Sequence, residues 1–155
     1  GPIEVPGYDE LAAKADRVAA FAHADGAPVC ITHNDFFNLN ILIDRSDRMH
    51  LIDWEYAGMQ DPHVDIAMFC IYALYDRRQV DETIAAYFPG GCSEAVRLKI
   101  YCYIAACGLL WSNWCEYKWT LGVEFGEYSL RQYRYAKEYY RIVRDTLEQW
   151  ESEGK

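Results

Sequence analysis

Apolar residues recur with a helical spacing at the start of the chain and through its second half, and with a strand-like spacing only between Val29 and Asp53. Leu11, Ala12, Ala15, Val18, Ala19 and Ala22 share one face of a helix expected over 9–25 and closed by Gly26. VCIT (29–32) predicts a short buried strand, and ILI (41–43) and MHLID (49–53) predict a hairpin about the polar turn DRSDR (44–48). Beyond Asp53 the pattern turns helical. Asp61 and Pro62 open a helix expected to reach Asp76, because a carboxylate caps free amides and proline gives up an amide that has no partner there. Further helices are expected over 80–88, stopped by PGG (89–91), and from Ser93 to about Trp119, a rod of roughly 40 Å. After a connector at 122–128, Ser129 and Gln132 have capping-box spacing for a last helix running to about Trp150. The fold class is α+β, mostly helical, with a small hairpin embedded in it.

One stretch breaks the apolar pattern. In HNDFFNLNILID (33–44), His33, Asn34, Asp35, Asn38 and Asn40 all need partners if buried, since an unpaired buried polar group is costly. His33, Asp35 and Asn40 form H-x-D-x-x-x-x-N on a loop between strands, and the hairpin delivers Asp53 thirteen positions later. Two oxygen donors, Asn40 and Asp53, near a free carboxylate, Asp35, suit Mg²⁺ beside a general base, the arrangement of kinase-type phosphoryl transfer. Asp35 would accept the proton of a substrate hydroxyl, and His33 would brace the loop. A polar hairpin loop whose Asn and Asp residues only satisfy turns is the alternative.

Composition narrows the partners. With 155 residues, 52% apolar and 25% charged, the chain is one folded domain. A net charge of −9 argues against nucleic acid, whose phosphates demand clustered Lys and Arg, and suits a cationic small molecule. The basic, tyrosine-rich stretch at 131–144 is interspersed with acids and reads as a solvated helix face. Six cysteines, at 30, 70, 92, 102, 107 and 115, show no C-x-x-C spacing, which predicts free thiols and a cytoplasmic setting. No signal peptide pattern is visible, and the apolar stretch 100–115 is short for a membrane span, so no membrane is expected. Gly1-Pro2 has the look of a tag scar.

HNDFFNLNILID, followed by IDWEYAG (52–58) and DIAMF (65–69), resembles the C-terminal lobe of the choline/ethanolamine kinases. These belong to the aminoglycoside-phosphotransferase-like group, which is related to the protein kinases. LLWSNWCEYK (109–118) and GVEFGEYS (122–129) resemble the W-x-x-W helix and E-F-G connector of choline kinases, so the likeness runs over roughly residues 25–145. It implies a protein-kinase-like C-terminal lobe, with Asp35 as base, Asn40 and Asp53 as Mg²⁺ ligands, and Asp65, with Glu55, as structural support. The tryptophan pair points to choline. A quaternary ammonium has no N–H to donate and is recognised by aromatic faces worth ~0.5–2 kcal/mol each. Trp111 and Trp114 stand one turn apart, Tyr56 is a further wall, and Tyr72, Glu124, Glu127 and Tyr128 are candidates to complete the cage; aromatic stripes are otherwise core.

The chain departs from that pattern in two places. Ile71-Tyr72 stand where the family offers a glutamate, and Glu127-Tyr128 are shifted by about one residue. Upstream of His33 there is no glycine-rich phosphate loop, and Lys14, in an amphipathic helix, is the lone lysine. Residues 3–155 are therefore expected to be a single C-terminal lobe without the N-terminal ATP lobe, inactive alone. The expected function is ATP-dependent phosphorylation of choline or a related amino alcohol. The alternatives are an aminoglycoside or sugar phosphotransferase and a choline-binding module without turnover.

Overall fold

The computed structural model describes residues 8–154 apart from 24, 25, 27 and 28. Helix α1 (Tyr8–His23) leads to strand β1 (Cys30–Thr32), a single 3₁₀ turn (Asn38–Asn40), and strands β2 (Ile41–Ile43), β3 (Met49–Leu51) and β4 (Gly58–Gln60). Helices α2 (His63–Tyr72), α3 (Arg77–Tyr87), α4 (Glu94–Trp119) and α5 (Glu127–Glu153) follow. The Gly1-Pro2 scar lies outside the described residues.

The strands form two antiparallel ribbons. In one, Ile41 faces Leu51 and Ile43 faces Met49, which is the expected hairpin. The other pairs β1 with β4, Cys30 opposite Gln60 and Thr32 opposite Gly58. Strand β4 was not expected, because its sequence, GMQ, carries no strand pattern and its partner lies far away in the chain. Nor is β1 a buried strand: Val29 is 62% and Ile31 64% exposed, and only Thr32 is buried. Leu42, Ile43, Met49 and Met59 likewise face outward.

The core is helical. Ile66, Ala67, Met68, Cys70 and Ile71 of α2 pack with Val80 and Ile84 of α3 and with the buried stretch Leu98–Ala105 of α4. Tyr139 and Val143 of α5 close it from the other side, and Ala22 from α1. Ala19 is exposed. By length and composition α4 would pass for a membrane span, yet 56% of its most apolar window is buried within the protein, and it serves as the central core helix. Helix α5 comes so close to Gly108 of α4 that a β-carbon there would lie 2.8 Å from the Gln132 carbonyl oxygen.

Polar groups fix how these helices meet. Lys99, 1% exposed, pairs with Asp61 at 2.7 Å and so anchors the entrance to α2. Burial works against the Asp61 carboxylate, but the hydrogen bonds from Lys99 and the His63 amide outweigh it and hold Asp61 below its usual range. Gln132 Nε2 donates to the Ile71 carbonyl (3.0 Å) and the Tyr135 hydroxyl to the Tyr75 carbonyl (2.6 Å), tying α5 to the end of α2.

Several boundaries differ from expectation. Helix α2 stops at Tyr72, and α3 starts at Arg77 behind a full capping box made by Asp76 and Gln79. Helix α5 starts at Glu127 after Gly126, whose φ of 55° favours glycine. Ser129 and Gln132 therefore form no capping box: Ser129 donates to Glu116, and Gln132 is buried against α2.

Candidate active site

The loop after β1 is held from beneath by Asp65, in the first turn of α2. Its two carboxylate oxygens accept the amides of His33 and Asn34, each at 2.8 Å. Asn34 has a left-handed backbone (φ 60°) and fastens the turn through its side chain, where Oδ1 accepts from the Thr32 hydroxyl and from Gln60, and Nδ2 donates to the Tyr56 carbonyl. Sequence reasoning assigned Asn34 no role in the site, although an Asn that adopts αL beside a strand is a known turn device. His33 is 2% exposed; its Nε2–H donates to the Ile52 carbonyl at 2.8 Å and its ring lies 4.7 Å from that of Trp54. Its Nδ1 is buried without a hydrogen-bond partner among the described residues.

Asp35 is held at both oxygens. Asn40 Nδ2 donates to Oδ2 at 2.9 Å and to the Asp35 carbonyl at 3.0 Å, while the Tyr72 hydroxyl donates to Oδ1 at 2.6 Å. With its nitrogen committed, Asn40 keeps its amide oxygen available. The Asn40 carbonyl accepts the Ile52 amide at 3.0 Å and extends the hairpin ladder by one rung, and Asp53 is the next residue after that rung. Asp53, with φ 64°, turns outward and makes no hydrogen bond or ion pair to a described residue. Among the described residues no three His, Cys, Asp or Glu side chains converge as a metal set. The two oxygens that could hold Mg²⁺ are an amide and a carboxylate, which leaves most of an octahedral shell to water and phosphate.

The Tyr56 hydroxyl is pushed above its ordinary value by neighbouring Glu55, with Asp35 and Asp53 adding to the effect. Glu55, expected as structural support, has its effect on Tyr56. Tyr56 itself is 61% exposed and makes no ring contact with the other candidate cage residues.

The wall is formed by other rings. Centroids step from Phe37 to Tyr72 (5.0 Å), Trp111 (5.4 Å), Trp114 (5.0 Å), Phe125 (5.2 Å) and Tyr128 (6.4 Å). Trp111, Trp114, Tyr72 and Tyr128 were candidates; Phe37 and Phe125 were not, though both lie inside quoted motifs. Burial, then the bond to Asp35, keeps the Tyr72 phenol far above its ordinary value and so a proton donor. Tyr128 is pushed up to about 12 chiefly by burial. The Trp111 indole N–H is buried without an acceptor among the described residues. Trp114 already carries a cation, with the Lys118 ammonium 5.3 Å from its ring centre. Next to the wall a cavity of about 300 Å³ is lined by Glu116, Trp119, Glu124 and Phe125 among others. Glu127, in the first turn of α5, is exposed and makes no hydrogen bond or ion pair to a described residue.

The phosphotransferase enzyme family (APH) matches residues 4–100. The chain belongs to that family. Protein LicA of Haemophilus influenzae is 31% identical over 112 residues, which are 64% of this chain and 39% of LicA. Choline kinase LicA from Streptococcus pneumoniae superposes with a TM-score of 0.71 at 23% identity, covering 92% of this chain and 50% of that one, and has also been solved with AMP. A choline/ethanolamine kinase family protein from Mesorhizobium loti gives 0.65 at 27% identity, covering 94% of this chain and 48% of its own. The resemblance read from the motifs therefore holds, as does the kinase-like C-terminal lobe. The chain spans about two fifths of that curated relative and about half of those solved chains.

Proposed function

We propose that this chain activates the hydroxyl of choline, or a closely related amino alcohol, for attack on the γ-phosphate of ATP. The observation that carries this is a carboxylate, Asp35, fixed by Asn40 and Tyr72 at the end of a continuous aromatic wall. The ammonium rests against ring faces near Trp111, and the hydroxyl reaches Asp35. Asp35 orients that hydroxyl and takes its proton as the oxygen bonds to the γ-phosphorus and the bond from that phosphorus to the β–γ bridging oxygen breaks, releasing ADP. Asn40 Oδ1 and the Asp53 carboxylate are suited to hold Mg²⁺, which when bound neutralises charge on the transferred group. His33 and Asp65 keep the loop rigid, so Asp35 need not be ordered during the reaction.

The remainder of the nucleotide site is assigned to an N-terminal lobe, and Val29, Ile31, Leu42 and Met49 are the exposed apolar side chains such a lobe would cover. The six thiols are free, which suits the cytoplasmic setting assigned to it. One feature favours the second reading, an aminoglycoside or sugar hydroxyl: Glu116 and Glu124 offer carboxylates to N–H donors.

Calorimetry with choline, ethanolamine and an aminoglycoside tests the substrate. Choline binds most tightly and Trp111→Ala weakens it about tenfold or more, the loss of one desolvated cation–π contact of ~2 kcal/mol. Equal binding of ethanolamine together with an inert Trp111→Ala overturns the cage. Turnover of choline with Mg²⁺-ATP is negligible for residues 1–155 alone and appears when the N-terminal lobe is supplied.

A further inference from the structure

We propose that Tyr72 is a positioning residue that locks the Asp35 carboxylate and sets the span between the ammonium seat and the attacking hydroxyl. This rests on the phosphotransferase assignment above. A carboxylate bonded at one oxygen swings about its Cβ–Cγ bond; bonded at both, it does not. Asn40 holds Oδ2 from the 3₁₀ turn and Tyr72 holds Oδ1 from the end of α2, 37 residues beyond Asp35. Oδ1 keeps a second lone pair, and that is where a substrate hydroxyl donates.

Tyr72 is suited to this because neither end of it is loose. Its ring is wedged between Phe37 (5.0 Å) and Trp111 (5.4 Å). The backbone beside it is fixed by the buried Gln132, which donates to the Ile71 carbonyl. One side chain therefore contributes its ring to the wall and its hydroxyl to the base. The ring beside the ammonium seat and the hydroxyl that fixes the base therefore move as one body, so the span between seat and base is set by Tyr72 and is matched to one spacer length.

The test uses the full chain with its N-terminal lobe, and compares choline with its three-carbon homologue, (3-hydroxypropyl)trimethylammonium. Tyr72→Phe keeps the ring and removes the hydroxyl. It is expected to lower kcat for choline by about 10- to 100-fold, the loss that follows a small misplacement of a reacting group. The KM for choline stays within about threefold, since the cation–π wall survives. The kcat/KM preference for choline over the homologue falls by about tenfold, as in other losses of a positioning contact. Tyr72→Leu removes the ring too and raises KM as well. An unchanged kcat in Tyr72→Phe, or a loss carried by KM with the preference intact, overturns the inference. A loss of cooperative thermal unfolding in Tyr72→Phe also overturns it, because the hydroxyl would then be supporting the fold. Asp35→Asn separates the two levels. If it abolishes turnover while Tyr72→Phe behaves as wild type, only the role of Tyr72 fails; if Asp35→Asn turns over normally, or wild type never phosphorylates choline, the function proposed above fails and takes this inference with it.

Discussion

Replacing Asp65 with asparagine tests how the loop after β1 is held. The carboxylate accepts the amides of His33 and Asn34 at 2.8 Å each, and a hydrogen bond to a charged acceptor contributes about 1.5–3 kcal/mol. Asparagine keeps one acceptor oxygen without charge and turns an NH₂ group toward the other amide, so one bond is lost outright and the second is weakened. The expected cost is about 2–4 kcal/mol, a large share of the ~5–15 kcal/mol that a domain has. Urea unfolding followed by circular dichroism measures the global part as a lower midpoint at unchanged slope. Amide exchange measures the local part, with His33 and Asn34 losing protection before the α4 core does. A variant within 0.5 kcal/mol of wild type, with those two amides still protected, would show that Asp65 does not hold the loop.

Gly108→Ala is expected to lower stability by about 1–3 kcal/mol despite alanine's better helix propensity, because the new carbon meets the Gln132 carbonyl at 2.8 Å and Tyr135 Cβ at 2.9 Å; a thermal melt measures it. Asp61 sits below its ordinary 3.8 when folded, so the stability it contributes is complete above pH 4 and is lost as pH falls through the lowered value. Lys99→Met leaves the buried Asp61 with His63 as its remaining partner, costs about 3–5 kcal/mol at pH 7 and flattens that acid limb in urea titrations from pH 7 to 3.

The chain announces its helices and its chemistry well, and its long-range partnerships poorly. The hairpin was legible because apolar runs flank a five-residue polar turn, and the contact of Asn40 with Asp35 because the two sit five positions apart on one loop. Strand β4 was illegible: Gly58-Met59-Gln60 has no alternation, and it becomes a strand by pairing with β1. Gln132 shows the same limit at a helix start. By spacing it belongs to a cap, but tertiary packing recruits it to the Ile71 carbonyl. Tyr72 was placed in the cage from its neighbourhood in the chain. That its hydroxyl also reaches Asp35 depends on where α2 ends, at Tyr72 and not at Asp76, and no local pattern carries that information.

The seat of the ammonium is where the account stands or falls. Choline's nine equivalent methyl protons give one sharp NMR signal, and intermolecular NOEs from it to assigned ring protons measure that seat directly. An ammonium seated on this wall gives cross-peaks to Trp111 and Tyr72, and these are lost in Trp111→Ala. Cross-peaks confined to rings outside the wall, such as Tyr87 or Trp150, would contradict it.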